Sequence, residues 1–169
     1  MSDDAIPLEE ARRRRRKSRT SRKATQPPEV PIGEAPEYSD EALARLFTYR
    51  HKDHWRFVSP FGRWLHFTGT HWEAENTLLA TDLAREICRE ESMRAEGDRL
   101  PKVAAEVASR KTVAAVEGLA RADREHAATA EQWDSNPWLL NTPAGTLDLR
   151  ANQLLPHRPL DYLTKITAV

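Results

Sequence analysis

Nine cations crowd the stretch from residue 11 to residue 23 with no acid among them: Arg12, Arg13, Arg14, Arg15, Arg16, Lys17, Arg19, Arg22 and Lys23. Flexible cations at this density neutralise nucleic-acid phosphates and release condensed counterions. Such contact is non-specific, because phosphates carry no sequence information. If about five of these charges engaged a single strand, the log–log salt slope of binding would be near −3 to −4. The competing reading is a solvated basic tail.

Other side chains with chemical potential are more dispersed. His51, Asp53 and His54 are close in sequence, and His66 and His71 fall in the hairpin that follows. A metal site needs about four ligands converging at fixed geometry. This spacing matches no finger pattern, and the expectation is ordinary strand and surface histidines. Trp55, Phe57, Trp64, Phe67 and Trp72 could stack bases from an exposed sheet; in a small domain the core claims such residues first. Cys88 is the only cysteine, so no intrachain disulfide forms. It falls on an apolar helix stripe and reads as an inert buried thiol. The chain contains no G-x-x-x-x-G-K-[ST], no G-x-G-x-x-G and no G-x-S-x-G. No carboxylate pair stands in strand context as a primase metal site would need. No cofactor is expected, and no catalytic residue is assigned.

The elements that must position these residues start near Ser39. Residues 1–37 are rich in Arg, Ser, Pro and Glu and read as a disordered basic arm and Pro-rich linker. The folded domain is expected over residues 38–169. Ser39 or Asp40 caps a helix with Leu43, Leu46 and Phe47 on one face. A three-stranded aromatic meander follows, with turns at Pro60-Phe61-Gly62 and Thr68-Gly69, and Trp64 and Trp72 are placed to pair across strands. Thr77 to about Ala95 is the strongest helix, with Leu79, Leu83 and Ile87 at four-residue spacing, Leu78 and Cys88 widening the stripe, and Glu90 and Arg94 one turn apart. Residues 102 to about 122 are helical, in two pieces near Ser109, with Val103, Val107, Val113, Val116 and Leu119 apolar. The polar stretch 123–132 is frayed helix or loop. The fold class is α+β: aromatic β-meander, helical middle, C-terminal β-meander.

Formal net charge is zero, so the remainder of the chain is net acidic. No run reaches the length of a transmembrane helix. The Arg cluster lacks the apolar segment of a secretory signal. The expectation is a cytoplasmic protein without membrane contact.

The last third is a second meander. Trp138, Leu139 and Leu140 form an apolar run, and Thr142-Pro143-Ala144-Gly145 supplies turn chemistry. Thr146, Leu147, Asp148 and Leu149 alternate, which points Leu147 and Leu149 to the core and Thr146 and Asp148 outward. Asn152 suits the left-handed conformation in a second turn. Leu154 and Leu155 return, and Pro156 ends the strand. Pro159 and Asp161 start a short turn, and residues 164–169 are β-branched and extended in character.

The ordered residues Asp134, Pro137 to Asn141, Thr142-Pro143, Gly145-Thr146, Asp148 to Arg150, Pro156 to Pro159, Asp161-Tyr162 and Thr164-Lys165 resemble the N-terminal-like domain of phage, plasmid and poxvirus primase–helicases. In those proteins it precedes a superfamily-3 helicase ATPase. The W-x-x-F-x-G-x-x-W run of Trp64, Phe67, Gly69 and Trp72 is also similar to that family. The resemblance covers roughly residues 40–169. Ala144 departs from the family's Asn, and Ala151-Asn152 from its Thr-Gly.

The resemblance implies a non-catalytic module in replication of a mobile element, linking priming to unwinding, docking to helicase or primase subunits and supporting ring assembly. Homo-oligomerisation is left open, and the activity itself would belong to domains outside the chain. The chain stops at Ala168-Val169, about where relatives continue into the ATPase, so a severed half or prophage remnant is one expectation. An independent nucleic-acid-binding adaptor is a second. A nuclease or metal hydrolase using the histidines is a third.

Overall fold

A computed structural model describes residues 35–168. The Arg and Lys run of residues 12–23 lies outside them. The first helix, α1 (Asp40–His51), starts where the sequence places it. The Ala42 amide donates to the Ser39 hydroxyl at 3.2 Å, Asp40 and Glu41 fill the first turn, and Arg50 and His51 fill the last. That charge order complements the helix dipole. Leu43 and Phe47 are buried on its inner face.

The aromatic meander follows as β1 (Trp55–Val58), β2 (Arg63–Phe67) and β3 (Trp72–Ala74), joined antiparallel. The expected pairing of Trp64 with Trp72 does not occur. The β2–β3 register sets Phe67 opposite Trp72. Trp64 is three residues from Phe67, an odd step, so it points to the other face of the sheet. Trp64 instead meets Phe57 and Trp55 edge-on at 5.3 and 6.1 Å. Trp72 packs with Phe67, Val58 and Leu65 on the far side.

Three helices complete the first layer: α2 (Leu79–Gly97), α3 (Pro101–Val107) and α4 (Arg110–Ala122). Helix α2 begins two residues later than its periodicity predicts, because Leu78 takes a left-handed conformation at the cap. Leu78 is therefore 75% exposed. The buried stripe of α2 is Ala80, Ala84, Ile87, Cys88 and Ala95, mostly small side chains. Glu90 does not pair with Arg94. It reaches Arg50 of α1 at 2.7 Å, while Arg94 meets Glu37 at 2.8 Å and Glu91 at 3.5 Å. The break near Ser109 is present, and Ser109 caps α4 by accepting from the Thr112 amide. Leu119, expected on the apolar stripe of α4, is 40% exposed. Buried Glu117 lies on the inner side of α4 instead, accepting 2.6 Å bonds from Trp64 Nε1 and Arg121.

These helices cover the face of the first sheet that carries Trp55, Phe57 and Trp64, and form the main core with Phe47, Ile87, Val113 and Val116. Full burial of each indole there is worth about 4 kcal/mol or more in transfer free energy. The stretch after α4 is more ordered than its polarity implies. It contains a two-residue strand, β4 (Ala127–Ala128), which adds parallel to β1 and gives the sheet order β3-β2-β1-β4. Asp123 anchors it by accepting from the Thr48 hydroxyl at 2.9 Å.

The C-terminal sheet is β5 (Leu139–Thr142), β6 (Gly145–Asp148) and β7 (Gln153–Leu155), antiparallel in that order. Its facing is opposite to the expected one. Thr146 is fully buried, Asn141 is buried beside it, and Leu149 is exposed. The reason lies in the polar groups, which have partners waiting inside, as described below. Both turns form as read, with Asn152 left-handed at φ 52° and a 3-10 turn at Pro159–Asp161. The tail carries no regular secondary structure over residues 164–168 and joins no strand ladder. Among the described residues, no helix is long and apolar enough to cross a membrane.

Gly145 sits at φ 148°, and a Cβ added there would lie 2.5 Å from the Leu155 carbonyl oxygen of the neighbouring strand. That atom is backbone and cannot swing away. Gly145→Ala is expected to destabilise the domain by about 2–3 kcal/mol, read as a lower urea midpoint in chemical unfolding. An unchanged midpoint would show that the β5–β6 turn tolerates a side chain.

Candidate functional site

The second sheet is fastened to the first by polar groups that the sequence carries in its last third. Asn141 is the centre. Its Nδ2 donates to the carbonyls of Thr70 and Lys165, each at 3.0 Å, and its Oδ1 accepts from Thr146 Oγ1 at 3.4 Å and faces His157 Nδ1 at 2.9 Å. Thr70 belongs to the β2–β3 turn, Lys165 to the C-terminal segment and Thr146 to β6. One carboxamide therefore joins three separate parts of the chain, with all four of its hydrogen-bonding positions used. Asp134, itself left-handed at φ 49°, makes a second clasp. It accepts from the amide and hydroxyl of Thr164 and lies 3.7 Å from the Lys165 ammonium.

An aromatic seam runs beneath these clasps. Trp72 lies parallel to Tyr162 with ring centroids 6.2 Å apart, and Trp133 meets both edge-on. Arg56, largely buried, lies 5.5 Å from the Trp72 centroid and 5.9 Å from that of Tyr162. Its guanidinium donates to the carbonyls of Lys52 and Trp55. Buried charge is tolerated here because fixed carbonyl dipoles and ring faces solvate it. Trp72 donates its amide to the Leu163 carbonyl at 2.8 Å and its indole N–H to that of Pro159 at 2.9 Å.

Beside the seam opens a groove of about 860 Å³, lined among others by Phe61, Arg63, Trp72, Asn76 and Thr164. Phe61 is half exposed. Arg63 makes no ion pair among the described residues. A free guanidinium next to an exposed ring can receive an anionic or planar group. Sequence reasoning did not single out Arg63, because one arginine in a hairpin carries no pattern.

The histidines do not converge. His51 packs on Phe47, His54 on Phe67 and His66 on Trp55, while His71 meets Glu73 at 2.9 Å. Among the described residues, no three His, Cys, Asp or Glu side chains are grouped to hold a metal ion. The aromatic residues weighed as a stacking platform are core, with Trp55, Trp64 and Trp72 all buried. Cys88 is buried on the stripe of α2, and burial, helped by Asp40, pushes its thiol up to about 11, so it stays protonated.

His126 is the titratable group the sequence concealed. It occurs in a polar stretch yet is fully buried against Phe47 and Trp64. Its Nδ1 lies 3.0 Å from the Trp55 carbonyl, which can only accept, so the proton sits on Nδ1. Its Nε2 has no hydrogen-bond partner among the described residues. Burial holds the imidazole below its ordinary pKa, against the opposing pull of the Trp55 carbonyl and Asp123, and burial, His126 and Arg50 do the same to His51.

Seam, clasps and helical layer together span the region that the family comparison covers. The family profile described as D5 N terminal like matches residues 44–169. The chain belongs to the D5 N-terminal-like family. This is the domain found in phage and viral primase–helicases, where it precedes the helicase. No curated protein matches the chain. The residues that carried the resemblance now have physical duties in the D5 N-terminal-like domain. Asp134, Asn141, Thr146, His157 and Tyr162 are the clasps and seam that hold its C-terminal sheet.

Two outcomes follow from these environments. Asn141→Ala strands the Thr70 and Lys165 carbonyls and the Thr146 hydroxyl, and should lower stability by about 2–4 kcal/mol in urea unfolding. A loss below about 0.5 kcal/mol would show the clasp to be dispensable. For His126 and His51 the folded pKa lies below the unfolded value of 6.5. The unfolded chain then binds more protons as pH falls below 6.5, so stability is full above that value and declines toward the lower folded pKa. His126→Phe should make the fall in urea midpoint between pH 7.5 and 5 shallower, and an identical slope in wild type and variant would refute the assignment.

Proposed function

We propose that this chain serves mobile-element DNA replication as a non-catalytic module of a phage/plasmid-type primase–helicase. In this reading the folded part docks to helicase or primase components, and the basic arm holds nucleic acid without sequence preference. The observation that carries it is the construction of the C-terminal block. The Asn141 clasp fixes that block to the β2–β3 turn of the first sheet, and Asp134 ties the chain before β5 to the C-terminal segment. Its polar side chains are spent on holding it there. Membership of a family that precedes a helicase motor supports the replication context.

The arm supplies what the platform lacks. Nine cations without an acid make a phosphate-neutralising segment. The unpaired Arg63 in the groove lies on the folded part and could extend such a contact.

Fluorescence anisotropy with a labelled single-stranded oligonucleotide tests the nucleic-acid half of this reading. The full chain should bind with a log–log salt slope of about −3 to −4. A chain lacking residues 11–23 should bind at least tenfold more weakly at low salt, with a slope approaching zero. Unaltered affinity after the deletion would remove the arm from the contact.

A further inference from the structure

One face of the C-terminal sheet carries the buried Asn141 and Thr146, and the other carries Leu140, Leu147 and Leu154. Register places Leu140 opposite Leu147, and Leu147 opposite Leu154, in one cross-strand row. Residues two apart share a face, so Trp138 and Leu149 join that row. Trp138 is 43% exposed, Leu140 41%, Leu149 48% and Leu154 57%. The opposite face carries the buried Asn141 and Thr146. At the rim, the Arg150 guanidinium lies 4.6 Å above the Trp138 ring. It makes no ion pair among the described residues, and the nearby Asp148 carboxylate is turned to the backbone amides of Arg150 and Ala151.

A sheet face of this composition ordinarily lies beneath a second layer. The helices α1 to α4 are already committed to the first sheet. We propose that the Trp138–Leu140–Leu147–Leu149–Leu154 face docks one amphipathic helix of a partner protein, with leucine-type side chains on its buried stripe and a carboxylate at its edge for Arg150. This deepens the docking half of the proposed function and rests on it, but needs no nucleic acid.

Dimensions and charge select this occupant. Three strands at about 4.8 Å spacing span roughly 10 Å, the width of one helix. The exposed side chains offer roughly 400 Å² of contiguous apolar surface, the size of the largest patch on an ordinary monomer and often a functional one. That is about half of what each partner of a standard stable dimer buries, so a second copy finds too little here to hold by itself. A second copy would also bring another Arg150 to an already cationic rim. Residues 12–23 share that sign and contain no leucine. An acidic, leucine-striped helix satisfies both the apolar row and the Arg150 guanidinium, which has no ion-pair partner among the described residues.

The test uses the full chain, labelled with nitrogen-15, and two lactam-stapled helical peptides of about 16 residues, four to five turns. Both carry the same leucine stripe, one flanked by Glu and the other by Lys. The Glu peptide should shift the amide signals of β5–β7 and the Trp138 indole, with a Kd on the order of 10–100 µM. The Lys peptide should bind at least fivefold more weakly. Arg150→Gln should bring the two affinities together. Leu154→Gln, at the most exposed position of the row, should abolish binding while leaving the rest of the spectrum and the salt-dependent DNA binding unchanged.

Absence of shifts with either peptide overturns the proposal, as does equal affinity for both in the wild type. Self-association by sedimentation that Leu154→Gln abolishes also overturns it, by giving the face to a second copy. Loss of the DNA slope on deleting residues 11–23 reports on the arm alone, so the two readings fail separately.

Discussion

A single buried carboxamide holds the architecture of this domain together. Asn141 has two donors and two acceptor positions, and all four are used, by Thr70, Lys165, Thr146 and His157. Remove it and the β2–β3 turn, β6 and the C-terminal segment lose their common partner at a site that is buried or partly buried. Burying an amide without partners costs several times what a satisfied one contributes, so the node is stable only when complete. That all-or-none character makes the second sheet a part of the domain instead of an appendage. The Trp72–Tyr162 seam beneath it adds apolar area and shields the clasps.

The same node explains where the sequence was legible and where it misled. Element order, the α+β class, the Ser39 cap, the helix break near Ser109 and both turns of the last meander could be read, because each rests on local rules acting over a few residues. The facing of β5 and β6 could not. Alternation of Leu147 and Leu149 with Thr146 and Asp148 identifies a strand, but assigns leucine inward only if the interior is apolar. Here the interior presents carbonyls of Thr70 and Lys165, which no local pattern announces. Polarity of the surroundings decided the facing.

Comparable overrides account for the other differences. Glu90 has Arg94 one turn away, yet chooses Arg50, because α1 packs alongside and offers a better-placed guanidinium. Glu117 and His126 look like surface residues in sequence and are interior groups in the fold, each with a partner more than fifty residues away. Short-range rules cannot find such partners. Resemblance to the family did better over the last third because it encodes long-range requirements as an ordered string of residues. Asp134, Asn141, Thr146 and Tyr162 make little sense as a meander and clear sense as clasps.

Because the inner face of the C-terminal sheet holds Asn141 and Thr146 to polar partners, Leu140, Leu147 and Leu154 are left on the outer one. Strands that bury Asn141 and Thr146 must, by the two-residue period, turn Leu140 and Leu147 to the opposite face. Register slippage by one residue would bury the leucines and solvate the polar pair, which looks favourable until the clasps are counted. Sliding β5 alone would leave the Thr70 and Lys165 carbonyls without their shared donor. The fold therefore accepts an apolar outer row as the consequence of a polar inner lock. The exposed face and the buried node are two sides of one constraint, and any change that relieves the first by shifting register must break the second.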